Sequence, residues 1–148
     1  MAQVRPDELQ ALVEKVSRVY FHRPFRHQAV INRRLRTIGG RYLLASHNLE
    51  FNYRYLNNRE QLVGIIKHEL CHYHLHLLHR GFRHRDRDFK VLLAQVGGLR
   101  YAPALPRTFR YRYVCTKRGR VYLRQRRLNT RRYVCGRCHG RLELSLPN

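Results

Sequence analysis

A five-residue run near the middle of the chain, His68-Glu69-Leu70-Cys71-His72, has the residue types and spacing of zinc hydrolase sites. Residues four apart share one face of a helix, so both imidazoles can bind one zinc ion. Glu69 follows the first histidine and can reach a water molecule on the metal without binding the metal itself. Zinc lowers the pKa of such a water to about 7, and the carboxylate can take its proton and return it to a leaving amine. We therefore predict His68 and His72 as zinc ligands and Glu69 as the catalytic acid and base.

Two histidines leave a catalytic zinc ion one protein ligand short. His76 lies four residues beyond His72 on nearly the same helix face, so a His72–His76 pair is a competing site. Beyond the helix come His84, Asp86 and Asp88, and a reversal of the chain there can return one of them to the metal. We favour His84 as the third ligand, because Asp88 is equally well explained as the cap of a third helix. The alternative to a metal site is a solvated, histidine-rich helix that binds no metal.

The elements around the motif predict an α+β fold class. Apolar residues at helical spacing indicate a first helix, and short alternating stretches indicate strands with a tight turn at Gly39-Gly40. Asn57 or Asn58 is expected to cap the second helix, and Gly97-Gly98 to end the third. The predicted elements are a helix from about Pro6 to Tyr20, strands within residues 27–35, 41–44 and 47–52, and helices over about residues 58–79 and 88–96.

The charge is very unevenly balanced, with 31 Lys and Arg against 9 Asp and Glu and a net charge of +22. Residues 107–148 hold 13 of these basic residues and one acid, Glu143. Two prolines in the segment 101–106 interrupt any helix or strand, so we predict domains at 1–106 and 107–148.

No stretch approaches the roughly 18 apolar residues of a membrane span, and the acidic N-terminus is unlike a secretory signal. We expect a cytoplasmic protein.

The second domain is predicted to be a small antiparallel ribbon built around cysteines. Cys135-Gly136-Arg137-Cys138 forms one metal-binding knuckle, and Cys115 begins another in which Arg118 stands where a second cysteine is expected. Three hypotheses remain open. Three thiolates plus His139 or water hold zinc, or the ribbon folds without metal, or the cysteines are simply small buried residues.

Arginines alternate with aromatic residues through the second domain. On a strand this alternation places tyrosines on one face, where they can form the small core, and arginines on the other. Exposed arginines bind phosphate, and aromatic residues can stack on unpaired bases. Nothing in the pattern encodes base recognition, so we predict non-specific binding of nucleic acid, with DNA favoured. The predicted contacts are Arg124, Arg126, Arg127, Arg131 and Arg132.

Several of these runs together resemble the SprT-like proteins of Gram-positive bacteria, which are related to the Spartan proteases that digest proteins crosslinked to DNA. The resemblance covers nearly the whole chain. It is carried by residues 39–44, 46–48, 68–76 and 83–89.

The resemblance implies a zincin-like, metallopeptidase-like domain followed by a C-terminal zinc ribbon. It also implies zinc ligands at His68 and His72, a catalytic acid at Glu69 and a third histidine nearest His84. The chain departs from the pattern of the relatives, since Arg85 follows His84 where they have glycine and Phe89 lies one residue further on.

The sequence therefore predicts a zinc-binding, metallopeptidase-like protein that its basic tail recruits to nucleic acid, and the resemblance implies that it cleaves DNA-bound or crosslinked proteins. The alternative is a nucleic-acid-binding protein in which the zinc is structural and no peptide is cut.

Overall fold

A computed structural model describes residues 3–105 and 109–145 of the chain. The chain folds as two compact units, Met1–Leu105 and Pro106–Asn148. The first unit contains three helices and a small sheet, and the second contains a small sheet alone among its described residues. The predicted α+β class is therefore confirmed. In the described part of the chain, no helix is both long and apolar enough to cross a membrane.

The first unit packs its helices against a three-stranded sheet of order β1–β3–β2. β1 runs parallel to the central strand β3, with Ala29 opposite Leu49, and β2 runs antiparallel to it, with Tyr42 opposite Leu49. The elements are α1 (Pro6–Val16), which continues as a π-helical turn (Ser17–Phe21), β1 (Ala29–Asn32), β2 (Gly40–Tyr42), β3 (Leu49–Asn52), α2 (Arg59–Leu77) and α3 (Arg87–Val96).

Helix α2 is buried on two sides, which makes it the centre of the unit. One side, including Leu62 and Ile66, joins the core formed with α1 and β3. The other side, including Cys71 and Leu75, packs against α3 through Phe89. The Asn58 side chain caps the helix by accepting the Gln61 N–H at 3.0 Å, as predicted. The helix ends at Leu77, two residues earlier than expected, and His79 follows with a left-handed φ of 56°.

The predicted turn at Gly39-Gly40 is wrong, because Gly40 is the first residue of β2. A Cβ atom at Gly40 would lie 2.8 Å from the Glu50 carbonyl oxygen and 3.2 Å from Glu69 Cγ, so the glycine allows β2 to lie close against α2. The chain instead reverses at residues 43–48, where the His47 N–H donates to the Leu43 carbonyl at 2.9 Å.

Asp88 is also placed differently from the prediction, since α3 begins at Arg87 and Asp86 occupies the N-cap position. The Asp88 carboxylate lies in the first turn and accepts the Gly81 N–H at 3.0 Å, so it ties the preceding loop to the helix. Gly97 ends the helix in the left-handed conformation, as the sequence predicts.

The second unit is an antiparallel sheet of order β5–β4–β6. Its buried core is small and, in residues 109–145, consists of Tyr113, Cys115, Cys135 and Leu142. The strands are β4 (Tyr111–Cys115), β5 (Val121–Arg124) and β6 (Leu142–Ser145).

His74 is a buried histidine of α2 with a structural role. Its Nε2 lies 2.7 Å from Ser17 Oγ, and that hydroxyl donates to the Arg23 carbonyl at 2.7 Å. Since the hydroxyl proton is used, His74 Nε2–H donates to Ser17. Burial lowers the pKa of His74 to about 4.

We predict that His74 contributes to acid lability. Because its folded pKa of about 4 lies below the usual 6.5, the unfolded chain binds more protons between these values, and the free energy of unfolding falls as pH drops from 6.5 towards 4. His74→Gln keeps a donor for Ser17 and should remove roughly 3 kcal/mol of that pH dependence. Urea unfolding of wild type and variant with a chelator present, followed by the helical circular dichroism signal, measures the difference. Parallel pH curves would contradict the prediction.

Candidate metal centre

Three imidazoles converge at the wall of a cleft in the first unit. The Nε2 atom of His84 lies 2.9 Å from that of His68 and 2.9 Å from that of His72, and the latter two are 3.3 Å apart. Nitrogen ligands of a tetrahedral zinc ion, at about 2.0–2.1 Å from the metal, stand about 3.3 Å from one another. The three histidines predicted as ligands are therefore brought together, and this group could hold a metal ion.

Backbone carbonyls orient two of these rings. His68 Nδ1 lies 2.7 Å from the Leu99 carbonyl oxygen, and His72 Nδ1 lies 2.5 Å from that of Phe82. A carbonyl oxygen only accepts hydrogen bonds, so each Nδ1 carries the proton. Each Nε2 consequently presents a lone pair to the centre of the cluster, as metal-binding histidines require.

The histidines are held in the neutral form. Burial lowers the pKa of His68 and of His72 to about 4, and it also lowers that of His84. The Arg100 guanidinium adds to the shift of all three, because its positive charge disfavours protonation. At neutral pH the cluster thus offers three uncharged nitrogen donors.

Phe89 of α3 is the buried floor of the cluster. Its ring centroid lies 4.4 Å from that of His72 in a stacked arrangement, and 5.2 Å from those of His68 and His84. Phe89 is completely buried, so it fixes the three rings by packing. Sequence reasoning missed this role because an apolar residue on a helix looks the same whether it packs beneath a site or elsewhere in a core.

The carbonyl of Leu99 reaches His68 because two glycines let the backbone pass close to α2. Leu99 N–H donates to the Gly64 carbonyl at 3.1 Å, and a Cβ at Gly64 would lie 2.6 Å from Leu99 Cγ. A Cβ at Gly98 would lie 3.3 Å from His68 N and 2.5 Å from Leu93 Cδ1. The sequence indicated Gly97-Gly98 only as a helix end, and a backbone carbonyl leaves no side-chain signal.

Glu69 lines the same cleft, which has a volume of about 610 Å³. It is 5% exposed, and burial raises the pKa of its carboxyl to about 8. The cleft is bordered on one side by β2, which pairs with β3 alone among the described strands. An acid–base group, a set of nitrogen donors and a free strand edge therefore share one open site.

The competing His72–His76 pair is not assembled. His76 Nδ1 lies 2.5 Å from the Tyr42 hydroxyl, which also lies 2.7 Å from His47 Nδ1. Burial and the neighbouring Tyr73 raise the pKa of Tyr42 to about 12, so its hydroxyl stays protonated and links the two rings. His76 therefore fastens the β2–β3 turn to α2.

The three cysteines of the second unit also cluster. Their sulfur atoms all lie within 4.8 Å of one another, and Cys115 Sγ is 3.4 Å from Cys138 Sγ. The His139 imidazole, considered above as a fourth ligand, is not part of this group, and Arg118 is exposed. The Tyr122 hydroxyl lies 3.1 Å from Cys135 Sγ and accepts the Gly136 N–H at 3.2 Å.

All five arginines predicted to bind nucleic acid are exposed, at the end of β5 and in the loop after it. The aromatic residues divide between two environments. Tyr113 is 1% exposed and Tyr122 packs against the core, as predicted, but Tyr133 is 50% exposed. Tyr133 lies outside the strands, in the segment that leads to Cys135, so of the two roles open to these aromatic residues it does not take the one in the core.

Comparison with known proteins places these features in context. The model of the SprT-like family matches residues 9–112. The protein SprT-like of Lactiplantibacillus plantarum is 59% identical over 143 residues, covering 93% of this chain and 97% of the relative. The protein SprT-like of Bacillus subtilis is 53% identical over 142 residues, covering 92% of this chain and 95% of the relative.

Among solved structures, the metallopeptidase zymogen of Pyrococcus abyssi abylysin resembles this chain in fold. The TM-score is 0.50 at 18% identity, and the match covers 64% of this chain and 84% of that one. This likeness is consistent with the zincin-like fold expected from the sequence.

We predict that His84 contributes to metal affinity and Asp88 does not. His84→Ala removes one of three converging nitrogens. Losing a residue that only supports a metal ligand by a hydrogen bond weakens metal affinity by up to about 100-fold, so losing a ligand itself should weaken zinc binding by more than that. Asp88→Ala should leave affinity unchanged while lowering stability, because it loses only the Gly81 contact. Chelator competition on the Cys115→Ser, Cys135→Ser, Cys138→Ser background isolates the histidine site. The opposite ranking of the two variants would overturn the assignment.

Proposed function

The chain belongs to the SprT-like family, and on that premise we propose that it is a zinc-dependent metalloendopeptidase that cuts proteins bound or crosslinked to DNA. One observation carries the proposal. Three neutral histidine nitrogens stand together beside the buried carboxyl of Glu69, in an open cleft bordered by an unpaired strand edge.

The donor set of the cluster fits zinc. His68, His72 and His84 offer three imidazole nitrogens, which suit zinc better than a hard cation that prefers oxygen. A zinc ion held by these three residues would supply Lewis acidity for the attack of water on a carbonyl.

Glu69 serves as the proton carrier. Its ionised carboxylate takes the proton from the attacking water and then delivers it to the nitrogen of the leaving amine. Burial alone raises the pKa of this carboxyl to about 8, and a nearby cation has the opposite effect. A zinc ion held by the three histidines would therefore favour the ionised carboxylate, which is the form that accepts a proton.

Strand β2 provides a way to align a peptide. Its free edge borders the cleft, and the unpaired backbone groups of an edge strand can bind an extended peptide by strand addition. The Tyr42 hydroxyl, held by His47 and His76, keeps this strand against α2. A substrate bound in this way presents its backbone carbonyls to the metal site without dependence on side-chain sequence.

The second unit is proposed to recruit the enzyme to DNA in the cytoplasm. Residues 107–148 carry 13 basic residues and one acid, and the arginines near the end of β5 are exposed. Such a surface binds phosphates and releases their counterions, which gives affinity without sequence preference. We propose that Tyr133, which is half exposed and has the Arg132 guanidinium over its ring, stacks on an unpaired base.

We predict that Glu69→Gln abolishes proteolysis and keeps the metal. The amide cannot take up the proton, so cleavage of a protein crosslinked to DNA should fall by about 100-fold or more. Zinc content should match wild type, because Glu69 is not among the converging donors. Gel analysis of the substrate and metal analysis of the same preparations measure both quantities.

Glu60→Gln is the matched control, since it removes an exposed carboxylate from the first turn of the same helix and should leave both properties intact. If wild type holds zinc and cuts no protein with or without DNA, the chain is instead a nucleic-acid-binding protein with a structural zinc.

We predict that the arginines after β5 account for the salt dependence of DNA binding. Replacing Arg124, Arg126 and Arg127 with serine should flatten the slope of log affinity against log salt by up to about 2.7 on duplex DNA, at about 0.9 for each phosphate contact. Replacing the exposed Arg18, Arg34 and Arg80 of the first unit removes equal charge and should change the slope far less. Fluorescence anisotropy at several salt concentrations measures the slopes. Equal effects of the two triple variants would contradict recruitment by the second unit.

A further inference from the structure

The first cysteine knuckle of the second unit has a complete backbone frame. Cys115 N–H donates to the Arg120 carbonyl at 2.9 Å, and Gly119 N–H donates back to the Cys115 carbonyl at 2.8 Å. Gly119 adopts a left-handed φ of 71°, which closes the turn.

The second knuckle repeats this frame residue for residue. Cys135 N–H donates to the Gly140 carbonyl at 2.9 Å, and His139 N–H donates to the Cys135 carbonyl at 2.9 Å, with a left-handed φ of 59° at His139. Position 115 therefore matches 135, and position 118 matches 138. Arg118 stands at the place that Cys138 occupies in the second knuckle.

The sulfur atoms of Cys115, Cys135 and Cys138 lie close together. All lie within 4.8 Å of one another, and thiolates around a tetrahedral zinc ion stand about 3.8 Å apart. The backbone closes tightly on them, since a Cβ atom at Gly140 would lie 2.9 Å from Cys115 Sγ and 3.2 Å from Cys138 Sγ. Glycine at this position leaves room for the sulfurs and not for a side chain.

We infer that Cys115, Cys135 and Cys138 of the second unit form a three-thiolate metal site. Its fourth coordination position is open to an external ligand, and that ligand is a small thiol. Structural zinc sites normally close with four protein ligands. Here a guanidinium, which has no lone pair to offer, holds the fourth place, and His139 stays outside the sulfur group.

The charge balance supports a thiol as the added ligand. A divalent ion with three thiolates carries one net negative charge, and a fourth thiolate raises this to two. The basic residues of both knuckles, including Lys117, Arg118 and Arg137, supply compensating positive charge. A soft sulfur ligand also matches the three already present.

Cobalt substitution tests the inference on the full chain. Cobalt bound by sulfur shows thiolate-to-metal charge transfer in the near ultraviolet, and the histidine site of the first unit contributes none. Wild-type protein, reduced with a phosphine, should show these bands, and Cys138→Ser should lose most of their intensity. Adding 2-mercaptoethanol should strengthen the bands of wild type, because the thiol enters the open position.

Arg118→Cys is the decisive variant because it should complete the site. We expect about one third more charge-transfer intensity, in proportion to the number of thiolates. We also expect affinity higher by about 100-fold or more and no response to 2-mercaptoethanol. Arg120→Cys is the matched control. This variant adds a cysteine two residues further along the chain, at a position whose native side chain lies over the Tyr122 ring. It should change neither the charge-transfer intensity, nor the metal affinity, nor the response to 2-mercaptoethanol.

Two results would overturn the inference. If wild type shows no charge-transfer bands, the three-thiolate set does not hold metal, whether or not Arg118→Cys acquires them. If wild type binds cobalt without responding to 2-mercaptoethanol, no thiol enters the site, and a response gained by His139→Ala would show that His139 closes it.

Discussion

The hydrogen bonds from His68 and His72 Nδ1 to two backbone carbonyls are the constraint on which the metal centre depends. They set the tautomer, and with it the direction of the lone pairs that meet at the cluster. The two carbonyls belong to Phe82 and Leu99, one on each side of α3 along the chain. The position of α3 on α2 is therefore a condition of the site, and the buried Phe89 packs beneath the three rings that it supports.

Close backbone approach is the second condition of the same site. Gly64 and Gly98 let the segment after α3 lie against α2, and Gly40 does the same for β2 at Glu69. A side chain at any of these positions would meet atoms within about 2.5–3.3 Å, so the strand edge, the carboxyl and the histidines would be pushed apart. The shape of the cleft therefore depends on glycine at positions 40, 64 and 98.

The histidine cluster and the cysteine cluster differ in what supports them. The histidine site stands on a helix buried on two sides, and backbone carbonyls orient two of its rings. The cysteine site belongs to a unit whose buried core, among its described residues, has four members, two of them cysteines of the site. A core this small gains little from burial, so its stability is more closely tied to whatever the sulfurs bind.

The sequence alone determined the residues with local signatures. The i,i+4 spacing identified His68, Glu69 and His72, the cap at Asn58 and the end of α3 at Gly97 followed from local backbone chemistry, and the Cys115 knuckle was visible despite Arg118. Local periodicity also predicted the α+β class.

Only the tertiary structure decided which distant groups meet. His84 reaches the cluster, His76 turns to Tyr42, Asp88 holds a loop, and Tyr133 remains exposed. The partners of His68 and His72 are backbone carbonyls, which every residue possesses and no sequence pattern marks. Gly39 and Gly40 illustrate the same limit. Glycine permits both a tight turn and a close approach, and the choice between them depends on what the fold packs against the chain.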